Sequence, residues 1–259
     1  MTRLSQATGD ARYFDAVSRV MRLFADGQEA TAVPGLWPMW VSMKDEDVVS
    51  GTRFTLGGGA DSMYEYLPKM HLLLEGGDPM YEAMTRRFLN ASRALFFRPM
   101  LPDGAEEDIL ISGSAEVRDD GRLELEPETE HLTCFIGGTF ALAGRVLGDE
   151  GAVETGRRLA RGCAYLYAAS PRGIMPERLT LVPCPSPSPS AACAWNQTLY
   201  DEERAKRQWK EEPPPPFTSV RDPRYLLRPE AVESLFVLYR ITGEEEFRER
   251  AWEMRPAPA

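Results

Sequence analysis

Apolar positions recur every three to four residues over most of the chain, the period of helices that bury one face. These stretches stop in a common way: an apolar helix end, a glycine, an aspartate or glutamate, then the opening of a second helix. Four copies carry this punctuation, LSQATGDARYFDAV, LLLEGGDPMYEAM, ALAGRVLGDEGAVETG and LYRITGEEEFRERAW, with glycines at 9, 77, 148 and 243. Each glycine reads as the residue that ends one helix, and in three copies the aspartate that follows reads as the cap of the next, as Asp78 does ahead of Pro79. The pattern predicts helical hairpins, each followed by a connector. Hairpins recurring after 68 and 71 residues either stack as an open solenoid or close into an (αα)-barrel, and periodicity leaves both open.

The connectors differ in texture. The last interval, 95 residues, is longer by about one loop, and the extra length falls between about Pro183 and Pro223. There CPSPSPSAAC and EEPPPPF cannot be helix or central strand. Cys184 and Cys193 bracket the first run; a short disulfide across it is one reading, a flexible Pro/Ser loop the other. Another connector, from Asp108, alternates in strand fashion on both sides of Asp120-Gly121 and predicts a β-hairpin near 108–128. Its second strand runs into Glu128-Thr-Glu-His-Leu-Thr-Cys-Phe135 and so delivers Glu130 and His131 to the start of a helix. The run Gly57-Gly-Gly-Ala-Asp-Ser-Met-Tyr-Glu65 reads as a tight turn into a helix, with Ser62 and Glu65 forming a capping box and Asp61 just outside. It is no phosphate loop, because the Gly-Lys-Ser/Thr that should follow is missing. Pro68 falls within the predicted helix and should bend it.

Composition narrows the function classes. The chain has 259 residues, 43% hydrophobic, enough for one large domain, and no apolar run long enough to cross a membrane. Its net charge of −10, with no basic stripe, argues against a nucleic-acid partner. The four cysteines form no C-x-x-C and the two histidines no H-E-x-x-H, which favours two disulfides over a zinc site. The sequons Asn90-Ala-Ser and Asn196-Gln-Thr point with them to an oxidising, secretory setting. The polar start from Met1 to Asp10 carries no targeting signal.

The most informative stretch is Tyr225-Leu-Leu-Arg-Pro-Glu-Ala-Val-Glu233. Pro229 suits the first position of a helix, Glu230 and Glu233 then share a face, and Leu235, Phe236, Leu238 and Tyr239 supply the apolar positions. Early-turn glutamates also favour the positive end of a helix dipole. His131 reads as a packed or capping residue, or as a cavity residue beside Glu130. Asp61 reads as a helix cap, or as a free carboxylate.

Taken in order and with hairpin punctuation between them, GGADSMYEYLPK, EHLTCF, GIMPE and YLLRPEAVESLF resemble the class I α-1,2-mannosidases, glycoside hydrolase family 47. The resemblance covers nearly the whole chain, from RLSQATGDARYFDAV to ITGEEEFRERAWEM. It implies an all-α fold, an (αα)-barrel whose full family form has seven helical hairpins, here a partial toroid of one domain over 1–259. It implies inverting, calcium-dependent hydrolysis of α-1,2-linked mannose from high-mannose N-glycans in the endoplasmic reticulum or Golgi lumen. By the same resemblance Asp61 and Glu230 are catalytic carboxylates, Glu230 the candidate base. Arg228, Glu233, Glu130 and His131 line the mannose-binding floor, and Cys134 pairs with Cys163, a link worth about 3 kcal/mol. Gly59 stands where branch preference is set in the family.

Two family features have no counterpart among these residues: the F-E-V-x-I-R stretch bearing the general acid, and the T-E-A-H-P stretch whose threonine holds calcium. No metal ligand is therefore assigned. The bare Met-Thr-Arg start and the RPAPA end read as a truncation. The resulting expectation is a partial barrel with apolar edges exposed, marginal alone, that releases no mannose as it stands. Two further readings remain: a non-catalytic mannose-binding relative in glycoprotein quality control, and an α-hairpin scaffold for protein partners.

Overall fold

The computed structural model describes residues 1–102, 108–186, 193–207 and 213–254. All four punctuation points join helices: α1 (Thr2–Thr8) to α2 (Ala11–Gly27), α3 (Asp61–Leu73) to α4 (Pro79–Ala91), α5 (Phe135–Leu147) to α6 (Glu150–Ala169), and α8 (Glu230–Thr242) to α9 (Glu245–Glu253). An additional helix, α7 (Gln197–Arg207), lies between the third and fourth hairpins. Gly9, Gly148 and Gly243 end their helices in the left-handed conformation, and Asp10, Asp78 and Asp149 each accept a backbone N–H of the helix they open. The second junction departs from the pattern. Glu75 and Gly76, not Gly77, hold the left-handed positions, and the Gly76 N–H reaches back to the His71 carbonyl.

The capping box at Ser62 is also corrected. Helix α3 opens at Asp61 with Ala60 as its cap and no side-chain capping bond. Glu65 instead pairs with Lys69 one turn on, an i,i+4 partner in water that competes with the backbone N–H a capping glutamate would need. The helix runs unbroken through Pro68.

The connectors carry short strands. β1 (Arg53–Thr55), β4 (Ser114–Val117) and β5 (Leu123–Glu126) form one antiparallel sheet. β4 and β5 are the predicted hairpin, turning at Gly121 with φ 78°. β2 (Phe96–Phe97) pairs with β3 (Ile111–Ser112), so the first residues of the predicted hairpin leave for another sheet. β6 (Glu128–Glu130), β7 (Arg178–Thr180) and β8 (Ser219–Asp222) form the third sheet. The Pro-rich insertion is thus more than loop, since α7 and β8 both fall inside 183–223. Proline bars helix only where it stands, and the residues from Gln197 to Arg207 contain none. Pro187 to Ala192 and Glu211–Glu212 of the two Pro-rich runs, and the RPAPA end, lie outside the described residues.

Two features position the site. An aromatic chain runs Phe24, Trp37, Tyr64, Phe88, Phe140 and Phe96, with successive ring centroids 4.7–5.8 Å apart, and binds the first three hairpins into one core. Helix α5 packs against both α6 and α8 through small residues. A Cβ on Gly156 would stand 2.6 Å from the Gly137 carbonyl oxygen, so only glycine admits that approach. Ser234 on α8 accepts the Gly138 N–H at 2.8 Å and donates to the Cys134 carbonyl. Both disulfides are formed, Cys134–Cys163 tying the start of α5 to α6, and Cys184–Cys193 closing the Pro/Ser loop.

Candidate active site

The third sheet runs directly into the site. Beyond its paired strands the His131 N–H donates to the Glu177 carbonyl at 2.9 Å and the Glu177 N–H to the Arg224 carbonyl at 3.1 Å, so three segments distant in sequence lie side by side. His131 opens a 3-10 turn, His131–Cys134, ahead of α5. Its side chain is fully buried. The ring Nε2 lies 2.6 Å from the Tyr167 hydroxyl on α6. Nδ1 faces Glu230 Oε2 at 3.6 Å, too long for a hydrogen bond, and both atoms are buried without another partner among the described residues.

Glu230 is the first residue of α8, one residue past Pro229 as the motif predicts. Burial pushes its carboxyl up, but the facing His131, its own backbone N–H and the Arg228 charge outweigh this and hold it below the usual carboxylate range. Glu233, one turn on, shifts the opposite way. Burial raises it, with Glu65 and Glu230 adding repulsion that Lys69 at 3.8 Å only partly offsets. Two carboxylates on one helix face with their affinities for a proton pushed apart suit different roles, one held ionised and one readier to carry a proton.

Arg228 and Glu130 are each paired. Arg228 donates from Nε to Glu177 Oε2 at 2.6 Å; Glu177 is itself buried, its second oxygen without a partner among the described residues. Glu130 spans two segments, accepting the Gly58 N–H at 2.9 Å through Oε2 and pairing with Arg178 at 2.7 Å through Oε1. A Cβ at Gly57 would sit 2.6 Å from that Oε2, which explains one glycine of the triple run by close approach rather than by turning. Asp61 begins α3, where its Oδ1 accepts the Ser62 N–H; it makes no hydrogen bond or ion pair with the other five predicted residues. A cleft of about 500 Å³ is lined by Glu130, Glu177, Arg178, Asp222, Arg224 and Arg228, with Leu226 at its side. Asp222 in it is held down at about 2, chiefly by the Arg224 side chain. Buried polar atoms without partners at His131, Glu177 and Glu230 mark a place built for something other than stability.

The model of the glycosyl hydrolase family 47 proteins matches residues 1–257. The chain belongs to that family. Among its family 47 relatives are a mannosyl-oligosaccharide α-1,2-mannosidase of Coccidioides posadasii, 30% identical over 97% of this chain and 44% of that protein, and a probable mannosyl-oligosaccharide α-1,2-mannosidase 1B of Neosartorya fischeri, 29% identical over 97% and 46%. The solved α-1,2-mannosidase from Trichoderma reesei superposes with a TM-score of 0.75 at 26% identity, over 97% of this chain and 48% of that one. The helical hairpins are therefore those of a family 47 (αα)-barrel, and the chain spans a little under half the length of these relatives.

Tyr167, Glu177, Arg178 and Lys69 are site residues that sequence reasoning passed over. Glu177 stood in plain view in GIMPE, where an acid follows an apolar Met-Pro pair. Tyr167 sits in the apolar run of α6 and reads as core. Calcium, which the family resemblance implies, finds no cage here: among the described residues no group of three His, Cys, Asp or Glu side chains is gathered to hold a metal ion. Glu130 and Glu177 already carry arginine partners.

Proposed function

We propose that this chain builds the sugar-binding floor and the water-activating side of an inverting α-1,2-mannosidase that acts on high-mannose N-glycans. The observation that carries the reading is Glu230, kept ionised at the mouth of a helix by His131 and Arg228 with one buried oxygen uncommitted. Inversion requires a carboxylate that takes a proton from water while the water oxygen attacks the anomeric carbon from the face opposite the breaking glycosidic bond; the leaving oxygen receives a proton from an acid on its own side. Glu230 is the base in this reading. Asp61, exposed enough at the start of α3 to reach solvent, orients the water; Arg228, Glu130 and Glu233 hold sugar hydroxyls, and the buried His131 lies beneath this floor and orients Glu230. The acid is not assigned to any residue of this chain. The paired cysteines suit an oxidising secretory lumen, and no helix among the described residues is long and apolar enough to cross a membrane.

A second reading, binding without hydrolysis, draws on the same geometry: a floor of paired arginines and carboxylates, Arg228 with Glu177 and Arg178 with Glu130, beside Glu230. Incubation of the chain with a nine-mannose N-glycan, read by released mannose and by bound glycan, separates the two. The expected outcome is saturable binding with no mannose release, and a loss of binding of about tenfold in Arg228→Ala as its bidentate-capable guanidinium is removed. Release of mannose that Glu230→Gln abolishes would make the chain an enzyme in its own right. Absence of any glycan binding would sink the carbohydrate reading altogether.

A further inference from the structure

A second, smaller pocket of about 190 Å³ adjoins the cleft and shares Glu130 and Arg178 with it. Its wall is the β1–β4 pair: Arg53 and Thr55 point the same way along β1, and Ser114 stands opposite Thr55 on β4. Its floor carries Glu128, Glu130 and Arg178. Its lip is Met39 and Trp40, and Trp40 is 76% exposed.

This exposure does not come from a loose loop. Trp37, three residues earlier, is buried and bonded through both its backbone N–H and carbonyl to the Tyr64 hydroxyl. The Met39 N–H donates to the Arg53 carbonyl at 2.8 Å. Pro38 packs so closely on Gly51 that a Cβ there would stand 2.4 Å away. The indole is therefore held out at the pocket mouth by a fixed backbone. The charged groups of the pocket show the same preparation. Glu128 is paired with Arg221 and Glu130 with Arg178, whereas Arg53 has no ion-pair partner among the described residues and offers its guanidinium to the pocket.

We propose that this pocket is an accessory subsite for one neutral sugar ring of an oligosaccharide whose next unit lies in the adjoining cleft lined by Glu177 and Arg228. The chemistry selects the ligand. A pyranose presents an apolar C–H face that stacks on an indole and an equatorial rim of hydroxyls that both donate and accept. Trp40 supplies the first surface, and Arg53, Ser114 and the Glu130–Arg178 pair supply the second. An anion is disfavoured by Glu128 and Glu130, and a cation by Arg53 and Arg178. The volume corresponds to about six waters, room for one ring and not two.

This subsite rests on the carbohydrate reading above, and the test keeps the two apart. Methyl α-mannoside, α-1,2-mannobiose and a nine-mannose N-glycan are titrated by ligand-observed NMR against the 259-residue chain and its variants Trp40→Ala, Trp40→Phe, Arg53→Ala and Arg228→Ala. Trp40 and Arg53 are exposed, so their replacement leaves the core intact, which an amide correlation spectrum verifies. The expected result is a loss of about tenfold in glycan affinity for Trp40→Ala and Arg53→Ala, the scale of one stacking contact, recovery in Trp40→Phe, and unchanged monosaccharide affinity. If Trp40→Ala binds the glycan as the unaltered chain does while Arg228→Ala loses it, the subsite is wrong and the carbohydrate reading stands. If Trp40→Ala loses the monosaccharide equally, Trp40 belongs to the main cleft and the accessory subsite is overturned. If nothing binds to any form, both fall.

Discussion

Tyr167 occupies one nitrogen of the buried His131 and so decides which nitrogen faces Glu230. A phenol that donates to Nε2 leaves the proton of a neutral ring on Nδ1, directed at the carboxylate. Burial first, and then the neighbouring Tyr225, Glu230 and Glu177, push the Tyr167 hydroxyl up and keep it protonated. Tyr167→Phe leaves Nε2 without its partner in a buried place, which costs about 1–3 kcal/mol. The chain has only two histidines, at 71 and 131, so nitrogen-15 spectra of labelled histidine resolve the consequence: the His131 tautomer changes in Tyr167→Phe and the His71 signals stay put. An unchanged His131 pattern would show that the phenol does not set the ring. At this scale the motif residues were legible because Arg228 and Pro229 lead directly into α8 and Glu230 and Glu233 lie one turn apart on it, so local spacing places them. Tyr167 was not, because its partner His131 lies 36 residues away; Glu177 stood in the GIMPE motif, but its pairing with Arg228, 51 residues on, rests on a packing that no local pattern encodes.

Between elements, the third and fourth hairpins are stitched by ion pairs as well as by apolar contact. Arg157 reaches Glu244, and Arg161 meets Glu246 with two hydrogen bonds of 2.9 Å each. The Arg161 side chain holds the Glu246 carboxyl below its ordinary value of 4.5. A carboxyl depressed in the folded state adds stability that is present above the unfolded value and lost as pH falls through the folded one. Partial exposure of both partners limits the contribution to about 0.5–1 kcal/mol. Helix α9 is therefore expected to loosen first on acidification below the ordinary carboxylate range, read as early loss of amide protection in Glu245–Glu253, and Glu246→Gln should remove that pH dependence. Helix ends at Gly9, Gly148 and Gly243 were readable because glycine alone takes the left-handed turn freely. The capping box at Ser62 misled because Lys69 competes for Glu65, and α7 was overlooked because the prolines on either side dominated the composition of the insertion.

At the scale of the molecule, the Cys134–Cys163 link joins the segment that carries His131 to the helix that carries Tyr167. Its loop of 29 residues corresponds to about 3 kcal/mol of constraint on the unfolded chain. Replacing both cysteines by serine should lower the melting temperature by roughly 6–12 °C in a chain of this size, and, since the link brackets the site, weaken glycan binding beyond what instability explains. The order of helical hairpins and the β-hairpin could be inferred from the chain's own pattern, and the Cys134–Cys163 pairing from the family resemblance. The pairing of β6, β7 and β8 into the approach to the site could not, because strands of three to four residues carry too little pattern of their own.

Ser234 has one more implication. Its hydroxyl closes contacts to residues 100 and 96 positions earlier, and Glu230 meets His131 across the same span. Contacts of such long sequence separation must be closed against chain entropy that local contacts do not face. The first three hairpins can therefore associate around the aromatic chain while the carboxylate and the imidazole are still strangers, and the site comes into existence only with the final docking of α8. The facing of Glu230 and His131 is then a readout of completed folding: a chain caught one step short has its core and the walls of its pockets but not the carboxylate proposed as the base.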